Sequence, residues 1–339
     1  MSFRKTHFWL LASGCWLLSS CEQSRLEIDI SKIKIEPVRI ERFDQDFFSL
    51  NADNIVAKLP ELQKKYHGFA ELFVRNLLCH NGIQDSACIP EITHFVNDKD
   101  MRDAFNDCQK KFQDISLIES ELTETFRHHQ YYFPEKKLPK VLTMMSGFNY
   151  SIATADSVFA IGLEMYLGKE SRFYEMIQIP NYKRITMQRA YMIPDFVRAW
   201  VMKEFPDNVK GGKTLLSEMI YRGKILYLAD ALMPQTEDTL KIGFTKKQMN
   251  WCNDHTGDIW GFWIKNKLLY STAIDVISKF TGEGPFTTGF AKESPARTAV
   301  WTGWQIVRKY MNSHPEVSLE QLMNENDPQK ILTLSKYKP

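Results

Sequence analysis

The sequence lacks a strong excess of either charge sign, and it contains no internal repeat or low-complexity stretch. Its 43 lysine and arginine residues are nearly balanced by 41 aspartate and glutamate residues, which leaves a net charge of +2. A nearly neutral chain has no electrostatic basis for binding nucleic acid. The balance therefore predicts no nucleic-acid partner, and 44% hydrophobic residues in a chain of 339 predict a compact globular body.

The motifs of common catalytic and cofactor sites are also missing. The chain has no pair of histidines one helical turn apart with a glutamate beside the first, no Gly-x-Ser-x-Gly elbow, no P-loop and no Gly-x-Gly-x-x-Gly fingerprint. His128 and His129 are adjacent, so on a helix they point about 100° apart and do not converge on one metal ion. The sequence therefore predicts no cofactor and no metal site, and it favours a protein that is not an enzyme.

Cysteine is scarce, and no Cys-x-x-Cys pair is present to suggest a redox or zinc site. Two cysteines lie near the N-terminus and four in the body: Cys15, Cys21, Cys79, Cys88, Cys108 and Cys252. In an oxidising compartment Cys79 and Cys88 would close the shortest loop, which makes them the predicted disulfide. The alternative is that the four body cysteines are small buried apolar residues.

Long apolar runs are missing except at the N-terminus, where Arg4 and Lys5 precede an apolar stretch that begins at Phe8. This stretch is too short to span a bilayer, since a spanning helix needs ~20 apolar residues. It has the layout of a secretory signal. We therefore predict that the chain is exported and that no segment of the body crosses a membrane.

The end of this signal carries the pattern of a bacterial lipoprotein. Leu18-Ser19-Ser20-Cys21 supplies the leucine, the two small residues and the cysteine that lipoprotein processing requires. Residues 1–20 are thus predicted as the signal peptide, Cys21 as the lipidated residue and 21–25 as the tether. Two or more acyl chains, such as palmitate, would hold the protein on a membrane, at ~0.8 kcal/mol per buried CH₂. The alternative, cleavage after Gly14, leaves an apolar core that is short for export.

Hydrophobic spacing predicts a helical N-terminal half that extends to about residue 135. In residues 26–35, apolar and polar side chains alternate, which predicts extended structure near the start of the body. Further on, apolar side chains recur at helical spacing, which predicts amphipathic helices. They are Leu59, Leu62, Tyr66, Phe69, Phe73 and Leu77, then Met101, Phe105, Cys108, Phe112, Ile118, Leu122 and Phe126.

The second half changes period. Residues 141–145 and 158–163 predict two strands separated by turn residues. Pro194 suits the first turn of a helix that runs to about Glu204, and a further helix is predicted over 215–233. Thr245 and Gln248 form a capping-box pattern for a helix through Trp263.

A glycine-containing loop at 282–289 leads to Pro295, which is predicted to open the last major helix. Gly303 lies inside that helix, where glycine costs ~1 kcal/mol relative to alanine, so close packing is expected there. The predicted fold class is α+β, predominantly α-helical with a small central β-sheet, in a single domain over residues 26–339.

Two polar clusters are candidate binding sites. One contains Glu218, Tyr221, Lys224 and Asp230, and the other contains Arg297, Trp301, Trp304 and Arg308. Structural ion pairs are the ordinary alternative for both clusters. All six tryptophans of the body lie between Trp200 and Trp304, which indicates either a dense core or a glycan- or partner-binding surface.

Several segments resemble one known family, in the same order and over essentially the whole mature chain. They are IERFD at 40–44, FAIGLEMYLG at 159–168, YMIPD at 191–195, EMIYRGK at 218–224, LADAL at 228–232, LLYST at 268–272, SPAR at 294–297 and WTGWQIVR at 301–308. The resemblance is to the gliding-motility lipoprotein GldB family of the Bacteroidetes, whose lipidated cysteine corresponds to Cys21. It implies a lipoprotein of the outer membrane, facing the periplasm, that is tied to motility and secretion machinery and has no known reaction.

A fainter likeness is to predicted zincin-type zinc peptidases, which implies a degenerate zincin-like scaffold. In that likeness Glu218 takes the place of the third metal ligand, but the helix over 191–200 lacks both expected histidines. Asp195 and Glu218 are then the candidate catalytic residues of an unorthodox metallohydrolase. Three functions follow for testing: a non-catalytic lipoprotein of an envelope assembly, this metallohydrolase, and a glycan- or peptide-binding lipoprotein.

Overall fold

The computed structural model describes residues 25–209 and 212–339. The predicted signal peptide and the predicted lipidation site, Cys21, lie outside these described residues. Within them, no helix combines the length and the apolar character needed to cross a membrane.

The N-terminal half is helical, as predicted. Its helices are α1 (Phe43–Phe48), α2 (Ile55–Leu77), α3 (Ile89–Asn97), α4 (Lys99–Lys111) and α5 (Ser116–Tyr132). The apolar stripe of α2 packs on α1, where the Phe43 ring lies 5.0 Å from Tyr66, 5.1 Å from Phe69 and 5.0 Å from Phe73, centroid to centroid. This face starts the hydrophobic core that continues through the body.

The apolar spacing that runs from Met101 to Phe126 belongs to two helices rather than to one. Helix α4 is capped by the Asp98 side chain, which accepts a hydrogen bond from the Met101 amide. The chain then leaves helical geometry at Phe112, and the Asp114 carboxylate accepts from the Ser116 amide at the start of α5. A side chain that bonds a nearby amide stabilises a helix start, so it separates the two helices.

A small sheet follows, with strands β1 (Glu41–Arg42), β2 (Lys140–Met144), β3 (Ile152–Ala155) and β4 (Val158–Gly162). Their order is β1-β2-β4-β3, in which only the β3–β4 pair is antiparallel. The two strands predicted from sequence, β2 and β4, are confirmed, whereas β1 and β3 were not predicted. The carboxyl end of β4 leads directly into the wall of a cavity described below.

The prediction of extended structure over residues 26–35 is only partly right, because no strand forms there. The backbone that follows satisfies its amides on helix side chains instead of on a neighbouring strand. The Val38 amide donates to Thr123 Oγ1 at 2.9 Å, and the Ile40 amide donates to Glu119 Oε1 at 2.9 Å. Alternating polarity therefore marks a segment that lies along the helical body rather than one in the sheet.

The C-terminal half is again helical. Its helices are α6 (Arg172–Met176), α7 (Asn181–Arg184), α8 (Met192–Glu204), α9 (Leu215–Leu232), α10 (Asp238–Ile242), α11 (Lys246–Asp254), α12 (Thr256–Lys265), α13 (Ile274–Thr281), α14 (Thr298–Ser313), α15 (Leu319–Asn324) and α16 (Pro328–Ser335). The helices predicted over 194–204 and 215–233 are confirmed as α8 and α9. Fold class is therefore as predicted, mainly helical with a small sheet.

Two helix boundaries differ from the prediction. The helix predicted from the Thr245 capping box through Trp263 is divided at His255, where the Thr256 hydroxyl donates to the Cys252 and Asn253 carbonyls. The helix predicted to open at Pro295 begins only at Thr298. The delay has a backbone cause, because Arg297 adopts the left-handed conformation and cannot continue a right-handed helix.

Helices α9 and α14 cross at the centre of the body. A Cβ atom on Gly223 would lie 2.4 Å from the Gly303 carbonyl oxygen, and one on Gly303 would lie 1.8 Å from the Met219 carbonyl oxygen. The two backbones therefore touch at this point, where no side chain fits. This confirms the close packing that the helical glycine at 303 predicted.

Candidate functional site

Three residues of the predicted clusters meet in one buried network between α9 and α14. Asp230 accepts hydrogen bonds from Trp304 Nε1 at 2.9 Å and from Arg308 Nε and Nη2, each at 2.8 Å. Lys241 of α10 donates to the same carboxylate at 3.0 Å. The Arg308 guanidinium also lies 3.7 Å from the Trp304 ring centroid and donates to Asp238. These groups use their donors and acceptors on one another and join three helices.

The other residues of the clusters also hold structure. Lys224 donates to the Met323 and Glu325 carbonyls at 3.1 and 2.9 Å, which fastens the chain between α15 and α16 to α9. Burial lowers the pKa of Lys224 to about 8. The Tyr221 hydroxyl donates to the Phe205 carbonyl at 3.2 Å, and Trp301 is 2% exposed within the core.

Glu218, the candidate metal ligand, is paired on its own helix. Its carboxylate accepts from Arg222 Nε at 2.7 Å, and Lys213 Nζ lies 3.9 Å away. Over residues 25–209 and 212–339, no group of three or more histidine, cysteine, aspartate or glutamate side chains is arranged to hold a metal ion.

Two of the predicted residues, Asp195 and Arg297, line a cavity of about 620 Å³. Its walls come from the turn after β2, the segment around α7, one face of α8, and the loop before α14. The lining is mixed: polar side chains such as Asn149 and Gln178 contribute to it, and its apolar side chains are Phe148, Ile152, Met165, Ile179, Met187 and Phe244. A cavity of this size is within the ~300–1,000 Å³ range of small-molecule sites.

Asp195 lies on α8 with its carboxylate fully engaged. Tyr166 donates its hydroxyl proton to Oδ2 at 2.9 Å, and Arg198, one helical turn further on, donates from Nη2 to Oδ1. The Arg198 Nη1 donates to the Lys241 carbonyl, which ties α8 to α10. Burial raises the pKa of Asp195, against the opposing effect of Arg198. The charge of Arg198 is thus largely balanced within the cavity wall.

Arg297 is a buried and poorly satisfied polar group of this cavity. It is the N-cap residue of α14 with φ 61° and ψ 30°, and its side chain is 16% exposed. Nη2 donates to the Gly243 carbonyl at 3.3 Å. Glu283 Oε1 lies 3.4 Å from Nε, but Nε is buried and makes no hydrogen bond with any described residue. Burial lowers the pKa of Arg297, since a charged guanidinium is poorly solvated there.

The turn that forms one wall of the cavity is held by a buried acid, Glu164. Its Oε1 accepts from the Ser146 amide at 2.5 Å, the Ser146 hydroxyl at 2.6 Å and the Phe148 amide at 3.2 Å. Phe148 has φ 64°, so its ring reaches the cavity from a left-handed backbone. Burial raises the pKa of Glu164 to about 6, and its Oε2 has no partner among the described residues.

The structure thus separates the predicted residues into two groups. Asp195 and Arg297 lie together at the cavity, whereas the remaining candidates, Glu218, Tyr221, Lys224, Asp230, Trp301, Trp304 and Arg308, do not line it. Sequence reasoning missed Arg198, Tyr166 and Glu164 as part of the site. Only Arg198 had a local signal, because an acid and a base three residues apart share a helix face.

The structure also shows the positions of the two cysteines predicted to form a disulfide. Cys79 and Cys88 form a disulfide that closes a short loop after α2, with their Cα atoms 5.5 Å apart. Cys108 and Cys252 are free and buried, as small apolar residues often are.

A family model matches nearly the whole chain. The family model described as "Gliding motility protein GldB" matches residues 23–339. No curated protein and no solved structure matches this chain.

Proposed function

This chain belongs to the gliding motility protein GldB family, which gives it a role related to gliding motility, and on that premise we propose that it is a lipid-anchored lipoprotein of the cell envelope. It acts without catalysis, by contact with protein partners of the motility machinery and its associated secretion apparatus. Acyl chains on Cys21 hold it on the outer membrane, where its body faces the periplasm.

The observation that carries this proposal is the extent of the family match, which begins at residue 23 and continues to residue 339. The match therefore covers nearly all of the chain beyond the sequence Leu18-Ser19-Ser20-Cys21. The body on its own has no described helix that could cross a membrane. In this proposal, a lipid on Cys21 supplies the membrane attachment.

The contacts of Arg25 support the anchor geometry. Its guanidinium donates to the Met311 and His314 carbonyls at 2.7 and 3.2 Å and to the Val317 carbonyl at 2.7 Å. These carbonyls lie at and just beyond the C-terminal end of α14, where a cation is favourable. Since Cys21 precedes Arg25 by four residues, a lipidated Cys21 keeps the Arg25 backbone within about 14 Å of the bilayer, and the Arg25 side chain links it to this end of α14.

Polar side chains that join the helices inside the body also support a role in binding. Asp230, Arg308 and Lys224, which stood out in the sequence as polar candidates, join helices to one another inside the body. Such a framework holds a surface in one shape for a partner, and rigid partners lose less entropy on association.

Affinity capture from the native envelope tests the proposal. Tagged wild-type protein is compared with Cys21→Ala, and Cys15→Ala serves as the matched control, since that cysteine also lies in the N-terminal segment. We expect wild type and Cys15→Ala to remain in the membrane fraction and to retain motility or secretion components. We expect Cys21→Ala to leave that fraction and to lose those components.

Either of two results would overturn the proposal. If Cys21→Ala stays in the membrane with the same partners, lipid on this residue does not position the protein. If the purified protein shows turnover that Glu218→Ala abolishes, its role is catalytic.

A further inference from the structure

We propose that the cavity at Arg297 binds the carboxylate of an apolar ligand, either the C-terminus of an extended polypeptide or a free organic acid. This inference goes beyond the proposed function, which names no ligand and no binding site. It rests on the cavity itself, on the unsatisfied guanidinium and on the balance of charge in the walls.

The first argument is the state of the Arg297 side chain. A guanidinium has five N–H donors, and in the described structure this one makes a single hydrogen bond, to the Gly243 carbonyl at 3.3 Å. Its Nε is buried without a partner. A buried donor left unpaired is unfavourable, so most such groups in proteins have a partner. The cavity beside Arg297 is where a ligand would supply the missing acceptor.

The second argument is the backbone of Arg297. Its φ of 61° places a long side chain in the left-handed region, which is unfavourable for any residue with a Cβ atom. Residues are kept in such conformations where the surroundings require a particular side-chain position. Here the left-handed turn brings the guanidinium to the cavity wall and places it over the Phe244 ring, 5.5 Å from the ring centroid.

The third argument is the charge of the site. Asp195 is bonded to Arg198, so these two charges cancel each other. The partner of Arg297 is Glu283, whose side chain is 60% exposed and which approaches Nε to 3.4 Å without forming a hydrogen bond. The Glu283 end of this ion pair is exposed and screened by solvent, so its carboxylate can move away from Arg297. Arg297 is then left with an uncompensated positive charge, and the exposed Lys183 in the same lining adds to it, so the site matches an anionic ligand.

The shape and lining of the cavity specify the rest of the ligand. A planar guanidinium edge pairs with a carboxylate through two parallel hydrogen bonds. Beyond this edge, the walls carry Phe148, Ile152 and Met165, which suit an apolar group next to the acid. The cavity of about 620 Å³ accommodates roughly a dipeptide or an organic acid of similar bulk.

Calorimetric titration of the purified full chain tests the proposal with three probes. They are acetyl-Leu-Phe with a free carboxylate, the same dipeptide with an amidated C-terminus, and 4-phenylbutanoate as a free organic acid. We expect the free dipeptide or phenylbutanoate to bind, and we expect amidation to weaken binding of the dipeptide at least tenfold. Tighter binding of the dipeptide identifies a polypeptide C-terminus as the ligand, and tighter binding of phenylbutanoate identifies a free acid.

Substitutions on opposite sides of the proposed contact make the test specific. Arg297→Gln should weaken binding at least tenfold, because it removes the cation. Glu283→Gln should tighten binding severalfold, because it removes the carboxylate that competes for the same guanidinium. Glu293→Gln is the matched control, since Glu293 is exposed on the same loop and does not line the cavity; it should leave affinity unchanged.

Three results would overturn the inference. One is equal affinity for the acid and the amide, and another is no binding of any probe at millimolar concentration. The third is weaker or unchanged binding in Glu283→Gln, which is informative even if Arg297→Gln fails to fold. Because the probes are soluble and the anchor takes no part in the assay, none of these results bears on lipidation of Cys21.

Discussion

Replacing Gly303 with alanine tests how closely α9 and α14 approach each other. An alanine Cβ at this position would lie 1.8 Å from the Met219 carbonyl oxygen, 2.4 Å from its carbonyl carbon and 3.0 Å from its Cα. All three contacts are to backbone, so no side-chain rotation relieves them. To restore ordinary contact distances of about 3.5 Å, the two helices must separate by about 1.7 Å.

The magnitude follows from two opposing effects. Extra volume in a packed core costs about 1–3 kcal/mol, and sometimes more when backbone must move. Alanine returns ~1 kcal/mol through its higher helix propensity. Separating the two helices also weakens the dispersion contacts along the whole crossing. The attraction energy of such a contact falls by a quarter to a half when a gap of roughly 0.5–1 Å opens. We therefore expect the free energy of unfolding to fall by about 2 kcal/mol or more.

Urea denaturation followed by tryptophan fluorescence measures this change. Gly261→Ala is the matched control, since Gly261 is also helical but a Cβ there would meet no heavy atom within 4 Å. The control should gain up to ~1 kcal/mol from helix propensity alone. If Gly303→Ala is as stable as the wild type, or gains as much stability as the control, the inference that the two helix backbones touch at Gly303 is wrong.

Three further predictions concern buried groups. Asp230→Asn should lower the free energy of unfolding by about 3–5 kcal/mol, because it leaves Arg308 and the buried Lys241 with only the more exposed Asp238 as counter-ion; a loss under ~1 kcal/mol in thermal denaturation would contradict the network. Glu164 has a folded pKa of about 6, raised from 4.5 by burial. The protonated form of Glu164 is therefore favoured in the folded protein, and its contribution to the free energy of unfolding is fully present below pH 4.5. This contribution, about 2 kcal/mol, is lost as the pH rises through 6. Relative to Glu164→Gln, the wild type should therefore lose stability between pH 4.5 and 7, and parallel curves would refute this. Replacing Cys79 and Cys88 together with alanine should cost about 2–3 kcal/mol from the lost loop constraint, and a variant as stable in urea as the oxidised protein would refute it.

The fold was predictable where one element carries its own signal. Helix α8 begins beside Pro194, α9 is a long apolar stretch, and strands β2 and β4 are short apolar runs, and the predicted bounds of all four lie within a few residues of the structure. Errors arose where distant residues decide the local conformation. The amides of Val38 and Ile40 are satisfied by α5 side chains 85 and 79 residues away, which alternating polarity over 26–35 does not reveal.

The candidate site was predictable in the same limited way. Asp195 and Arg198 share one helix face, so their pairing is visible in sequence. The contact of Arg297 with the Gly243 carbonyl joins residues 54 positions apart, and its left-handed backbone has no marker such as glycine. Asp230, Trp304 and Arg308 stood out as binding candidates, but their charges and rings are used inside the body.

The attachment of Arg25 has a mechanical consequence. Tension applied to the residues that precede Arg25 is transmitted to the body through the Arg25 guanidinium. This group donates hydrogen bonds to three carbonyls around the C-terminal end of α14. That helix packs against α9 with the two backbones in contact at Gly223 and Gly303, so the load passes into this central helix pair. A protein pulled by its N-terminus in a moving envelope would then bear the load along α14, whose opposite end carries Arg297 at the cavity wall.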